Sequence, residues 1–505
     1  MVMRGRYRVV SLLCLCQYVV SLQYNTQVPF HKKLIDNRML CLKKQGERSP
    51  PLSQLMQQQD DPEWAALDCD LWLSRNEQGI QTSHYRFRYL SYPAMLQRMR
   101  ALELLYPDMV RLYSAQDDFG LPSAGKCSEE EGVEKNQPCK VWVMEVGNMQ
   151  ARTEETPRLF FSGALHGDER IGPTALLELV SFLLGTYAVD PWARIMLDSR
   201  VLVLIPAANA VGYQESKRDE LGVDPNRDFA FDTSSSRCMQ SVAARSVNEV
   251  WRRNIFSLAV TFHGGDNLIA HPWGDTKHCP GYPGRCQARE GMLSSWISPD
   301  HTAMLILSKY ASDFAGPLPT GRMEKFRFGP LNDPRVIYPV GGGMEDWAYG
   351  ASWAPGGVNC LPSKYGGYSN LRTLYGNVTH RAANLLVETA YQKIPPESEL
   401  GSSLGILSSL SNVHGSSDFG HIARNVRLSL LVLDVVQPYV ILEQVYTQGG
   451  AGEFLPSGNS STFSSPSTFW VQWRVGGAFR ISSFRVTCRA RHGADQSPGG
   501  TRKGE

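Results

Sequence analysis

The chain has 505 residues, 42% hydrophobic and 20% charged, with a formal net charge of +2. That balance belongs to a globular protein with room for one large domain and a smaller one. Near-neutral charge excludes a partner held by bulk electrostatics, so nothing points to nucleic acid.

Arg4, Arg6 and Arg8 precede an apolar run over 9–22. A basic start ahead of such a run reads as a signal peptide over 1–24, or as an anchor if it stays uncleaved, since no clear small-residue cleavage site follows. The run is short for a membrane-spanning helix. A later apolar stretch over 428–442 is interrupted by Asp434, Gln437 and Pro438. The expectation is entry to the secretory pathway, with the product secreted, extracellular or membrane-anchored. Residues 25–80 are polar, rich in Gln, Lys and Pro, and without periodicity; they read as a disordered lead-in that could serve as a pro-segment. Cys127 and Cys139 flank a charged loop, and Cys279 and Cys286 flank Pro280-Gly281-Tyr282-Pro283-Gly284-Arg285. Both spacings suit loop-closing disulfides in an oxidising compartment, the alternative being unrelated thiols. Sequons at Asn377 and Asn459 fit secretion.

A large domain is expected over 81–400. Its elements begin with a helix over 92–106, where Met95, Met99, Leu102 and Leu105 recur near helical spacing. Strands follow over 110–113 and 141–146. An apolar run from Arg158 then breaks at Gly163, and His166 and Glu169 follow three positions apart before a helix over 171–184 with Pro173 near its start. This is a buried strand, a tight loop and a helix, which sets the loop at the C-terminal edge of a strand, where open α/β sheets carry their sites. Further strands are expected over 201–205 and 257–262, the latter running into His263. A helix follows over 308–314. A long helix over 375–387 then ends in Leu385-Leu386-Val387, just before Glu388. Alternating strands and helices imply an α/β fold with a mixed, mostly parallel sheet covered on both faces.

After Gly401 the composition shifts. Segments 426–436, 439–445, 469–475 and 479–488 are β-rich, with Gly- and Ser-rich turns between them. They read as a small all-β sandwich over 415–490, followed by a disordered tail over 491–505.

Imidazole nitrogen and carboxylate oxygen together suit zinc. His166 and Glu169 supply two such ligands, and His263, ahead of Gly264-Gly265, is the natural third. Three protein ligands leave a position open, the mark of a catalytic rather than a closed structural site. Taken singly, His263 also reads as a capped core histidine.

The order of motifs goes further. H-x-x-E at His166 is followed by Asp224-Pro225-Asn226-Arg227-Asp228-Phe229. Then come H-G-G at His263, Tyr338-Pro339-Val340-Gly341-Gly342-Gly343-Met344-Glu345-Asp346-Trp347, and Leu386-Val387-Glu388-Thr389. This order resembles the zinc metallocarboxypeptidase family, most of all the processing-type branch with a transthyretin-like β domain after the catalytic one.

The resemblance implies one zinc ion per chain on His166, Glu169 and His263, and Glu388 as general acid/base. It implies Arg218 at the oxyanion, and Asn226 and Arg227 on the substrate's terminal carboxylate. Tyr338 would close over the substrate. Glu345 would select the terminal side chain, an acid there favouring Lys or Arg. Glu345 also reads as a structural partner of a nearby Arg, with Asp266 and Asp275 as alternative pocket acids. Asp168 stands where digestive members carry a substrate-contacting arginine. The partners implied are peptide and protein C-termini, handled by a monomer. Two other readings are a non-catalytic peptide-binding relative and a zinc amidohydrolase acting on side-chain-linked glutamate or cell-wall peptides.

Overall fold

The computed structural model describes residues 85–437 apart from 131, 189, 279–297, 320–323, 378 and 407–416, together with three strands outside that span. The Cys279/Cys286 pair, Asn459, the lead-in over 25–80, the apolar run over 10–22, the strand expected over 479–488 and the tail lie outside the described residues.

Eight strands form the central sheet: β1 (Val110–Ser114), β2 (Trp142–Val146), β3 (Arg158–Ser162), β4 (Val201–Ile205), β5 (Phe256–His263), β6 (Asp266–His271), β7 (Arg327–Pro330) and β8 (Ala383–Ala390). Their order is β7-β6-β8-β5-β3-β4-β2-β1. The central run β8-β5-β3-β4 is parallel, and antiparallel pairs flank it: β6 on β8, β2 on β4, and β1 on β2. The edge strand β7 is parallel to β6. The mixed, mostly parallel sheet expected from the sequence is therefore present. Leu159, Phe160 and Phe161 of β3 and all five residues of β4 are buried, as strands covered on both faces must be.

The helices are α1 (Tyr92–Leu105), α2 (Ala115–Phe119), α3 (Ile171–Thr186), α4 (Pro191–Ser199), α5 (Ala210–Glu215), α6 (Val242–Arg253), α7 (His301–Ala315), α8 (Met344–Gly350) and α9 (His421–Val435). In α1 the Ser91 hydroxyl accepts from the Ala94 N–H at 3.2 Å, an N-cap with Pro93 in the first turn. α3 is buried nearly all round and has no polar face to show water.

Two sequence expectations fail. The helix over 375–387 is absent, and β8 takes residues 383–390 instead. Its apolar core is wedged between β5 and β6, so a short run buried on both sides mimics a helix segment. The strand over 426–436 is instead the last part of α9. Every residue of α9 is buried, which erases the polar stripe that marks an ordinary helix, and it packs against α3 and α7. The large unit accordingly runs on to Val436.

A second unit contains Tyr439–Thr447 and Phe469–Gly476, strands expected from the sequence, paired antiparallel. Gly5–Val9, at the basic start of the segment read as a leader, pairs antiparallel with Phe469–Gly476. Cys127 and Cys139 are bonded, as their spacing suggested, and Cys238 is bonded to Cys360 across 122 positions, which no spacing suggested. Among the described residues no helix is long and apolar enough to cross a membrane.

Candidate metal centre

Three strand ends of the sheet's central run build the site. The loop after β3 carries His166 and Glu169, His263 closes β5, and Glu388 lies near the end of β8 directly across from His263. Because β3, β5 and β8 are parallel, all of them emerge at one edge. The loop after β3 is packed without slack: a Cβ on Gly167 would fall 2.0 Å from the Gly212 carbonyl carbon, so only glycine lets the chain pass between His166 and Glu169.

His166, Glu169 and His263 are all buried, and one ligating atom from each lies within 4.8 Å of the others. His166 Nδ1 is 2.9 Å from Glu169 Oε1, His263 Nδ1 is 2.9 Å from Oε2, and the two Nδ1 atoms are 3.2 Å apart. Burial would push the Glu169 carboxyl up, but His166 and His263 hold it well below the usual carboxylate range. Two imidazoles and an ionised carboxylate, converging and shielded from water, are the donors a borderline divalent cation accepts, and they fit zinc. Each histidine's outer nitrogen meets an acid. His166 Nε2 is 3.0 Å from Asp224 Oδ1, and His263 Nε2 is 3.8 Å from Glu345 Oε1. Asp224, within hydrogen-bond distance, is placed to fix the tautomer and angle of the His166 ring.

Arg218 joins the group, donating to Asp224 Oδ2 through Nε at 3.2 Å and a terminal nitrogen at 2.8 Å, while its other terminal nitrogen is 3.2 Å from His166 Nδ1. Against burial, the hydrogen bond to His166 and the Arg218 cation keep the Asp224 carboxyl low. Asn226 Oδ1 accepts from the Met344 N–H at 2.8 Å, and its Nδ2 is 3.4 Å from His263 Nε2. Arg227 donates to the Asn226 carbonyl at 2.7 Å and lies 6.0 Å from the ring centre of Tyr338, whose side chain is 60% exposed.

Glu388 Oε2 is buried without a hydrogen-bond partner among the described residues. Burial, and then the negative charge of Glu169, push its carboxyl up to about 8. Glu345 is 2% exposed, and its Oε1 likewise lacks a hydrogen-bond partner. Of the other acids considered for the pocket, Asp266 is held by Arg327 at 2.8 Å. Asp275 lies behind the glycine loop, where a Cβ on Gly341 would meet its Oδ2 at 2.4 Å.

A second set of metal-ligand types, Asp232, His278 and Asp346, also comes together. His278 Nε2 is 2.7 Å from Asp232, and Asp346 accepts the Gly274 and Asp275 N–H groups at 2.8–3.0 Å. These bonds knit the loops behind the site.

Of the residues singled out from the sequence, His166, Glu169 and His263 converge, Arg218, Asn226 and Glu345 stand beside them, Glu388 is the register partner of His263, and Arg227 and Tyr338 follow Asn226 outward. It adds two that were missed as contributors. Asp224 opens the D-P-N-R motif, and its place two residues ahead of Asn226 was the available signal. Lys393 had no signal at all.

Residues 136–359 match the family model described as zinc carboxypeptidase. Carboxypeptidase SOL1 of Arabidopsis thaliana is 28% identical over 216 residues, 41% of this chain and 40% of that protein. Human carboxypeptidase D is 25% identical over 284 residues, 52% of this chain and 18% of that protein. The matched stretch thus spans less than half the length of either relative. Among solved structures, bovine thrombin-activatable fibrinolysis inhibitor in complex with tick carboxypeptidase inhibitor is 15% identical at a TM-score of 0.42, covering 68% of this chain and 98% of that one.

Proposed function

The chain carries a zinc carboxypeptidase domain, and from that premise we propose that it is an exopeptidase that removes the C-terminal residue of peptides or proteins. The observation that carries the reading is the meeting of His166, Glu169 and His263 with Glu388 opposite them on the neighbouring strand. Zinc on the three ligands would supply Lewis acidity, polarising the scissile carbonyl and making water a better acid.

The remaining work falls to side chains. Glu388, half-buried with its Oε2 enclosed and unpartnered among the described residues, accepts the proton of the attacking water and returns it to the leaving amine. Arg218 hydrogen-bonds the oxyanion that develops on the substrate. Asn226 and Arg227 hold the terminal carboxylate, the guanidinium offering two parallel donors, and Tyr338, exposed beside Arg227, folds over it. A grip on the free carboxylate restricts cleavage to the last bond. Glu345, buried with an unpartnered oxygen, is the charge that a terminal Lys or Arg would neutralise. The two disulfides suit an oxidising compartment, and we place the activity in the secretory pathway.

The test is hydrolysis of N-blocked peptides ending in Arg, Lys, Phe or Glu. Release of the last residue alone, fastest for Arg and Lys, abolished by a chelator and restored by zinc, is the expected result. Internal cleavage, or turnover that survives chelation, would sink the reading; preference for side-chain-linked glutamate would move it to an amidohydrolase.

A further inference from the structure

We propose that Lys393, fixed by Asp168, is a positioning residue for the metal ligand Glu169. This rests on the metal reading of the site given above.

Lys393 lies five positions beyond Glu388, where the chain turns back after β8. Its ammonium is 2.8 and 3.0 Å from the two oxygens of Asp168 and 3.5 Å from Glu169 Oε1. Its carbonyl accepts the Arg170 N–H at 3.2 Å, so its main chain is tied to the residue directly after Glu169. It also packs on the glycines after His263: a Cβ on Gly264 would stand 3.4 Å from Lys393 Cα, and one on Gly265 would be 3.8 Å from its side chain, both at ordinary contact distance. One residue thus touches the loops that carry Glu169, His263 and Glu388.

The outer nitrogen of His166 has Asp224 at 3.0 Å, and that of His263 has Glu345 no nearer than 3.8 Å. The carboxylate of Glu169 has Lys393 at 3.5 Å and Arg218 at 3.8 Å, and Arg218 is already engaged by Asp224 at 2.8 Å. Ligating carboxylates are themselves held by such partners, which fix the direction of the donor lone pair. Asp168 neutralises the ammonium, so the pair adds little net positive charge beside the ligands; what it supplies is orientation. The Lys393 and Asp168 side chains are 32% and 23% exposed, and ion pairs that water reaches contribute little to the stability of a fold. Removing the ammonium should therefore leave the fold intact and the ligand loose.

The experiment measures zinc affinity of the full chain by competition with a chromophoric chelator, alongside thermal unfolding of the metal-free forms. Lys393→Met should bind zinc about 10- to 100-fold more weakly with an unchanged metal-free melting temperature, and Lys393→Arg, which keeps the charge, should recover most of the loss. Zinc bound by Lys393→Met as tightly as by the unaltered chain overturns the proposal. So does an arginine variant as weak as the methionine one, or a metal-free form whose melting temperature falls with the affinity. An unaltered chain that binds no zinc overturns the metal reading itself, and Lys393's role with it.

Discussion

Glu388 faces the ligand group without contributing to it. Its register partner is His263, its Oε2 has no hydrogen-bond partner among the described residues, and burial, with the charge of Glu169, pushes its carboxyl up to about 8. Glu388→Gln keeps the shape and removes the base. Turnover should fall about 10²- to 10⁴-fold, while zinc content measured by elemental analysis stays at the level of the unaltered chain. Retained turnover refutes the proposed role; lost zinc would make Glu388 a ligand instead. Asp228, in the same motif as Arg227, gives a pH-dependent test of stability. It is 1% exposed, accepts from the Ser241 N–H and hydroxyl and the Gln240 N–H, and burial pushes its carboxyl up to about 7. In the unfolded chain the same group titrates near 4. Between these values the native state keeps a proton that the unfolded state has released. Its contribution to stability therefore declines as pH rises through that window, by up to about 1.4 kcal/mol per unit, and levels off above it. Asp228→Asn has no such proton, so urea unfolding at pH 5 and pH 7 should show a smaller loss with rising pH than in the unaltered chain. Equal slopes would contradict the shift.

At the scale of elements, the candidate ligands were legible because each rides on a local signal. An apolar run breaks at Gly163 before His166, and another runs into His263 and its two glycines. β8 and α9 were misread for one reason: α9 is buried on every side and β8 over its apolar stretch 384–387, so neither shows the alternation of water and core that separates period 2 from period 3.6. In α9, Arg424 and Arg427 sit inside, donating to the Gly316 and Phe314 carbonyls, with Arg424 also bonded to Asn267 at 2.8 Å. Losing even one buried leucine of such a helix costs about 2–5 kcal/mol, and losing the helix uncovers α3. A chain ended at Pro396, near the boundary suggested by composition, should fail to unfold cooperatively on heating, followed by circular dichroism, whereas one ended at Gln437 should melt in a single transition. Equal cooperativity of the two would show that α9 is an accessory.

For the whole molecule, the Cys238–Cys360 bond spans 122 positions of the large unit. It links the chain shortly after the Asn226–Arg227 motif to the chain beyond the segment of Tyr338 and Glu345. Closing so long a loop restricts the unfolded chain, which by the chain-entropy account is worth about 4–5 kcal/mol. Replacing both cysteines by alanine should lower the urea midpoint by a corresponding amount, and thermal scans should show a larger loss than removal of the 12-residue Cys127–Cys139 link. The reverse order would mean that native-state strain, not loop closure, governs the two bonds. The sequence by itself offered the candidate donors and their order along the chain, and determined the strand-loop-helix around His166 and the α/β class. All of these follow from residue identity and near-neighbour periodicity. Only the tertiary structure decided that Glu388 rides on a strand facing His263, that residues 421–435 are a helix of the large unit, that Cys238 meets Cys360, and that Lys393 reaches Glu169. Those are pairings between distant positions, fixed by which surfaces can be buried together, and no short window of sequence carries their partners.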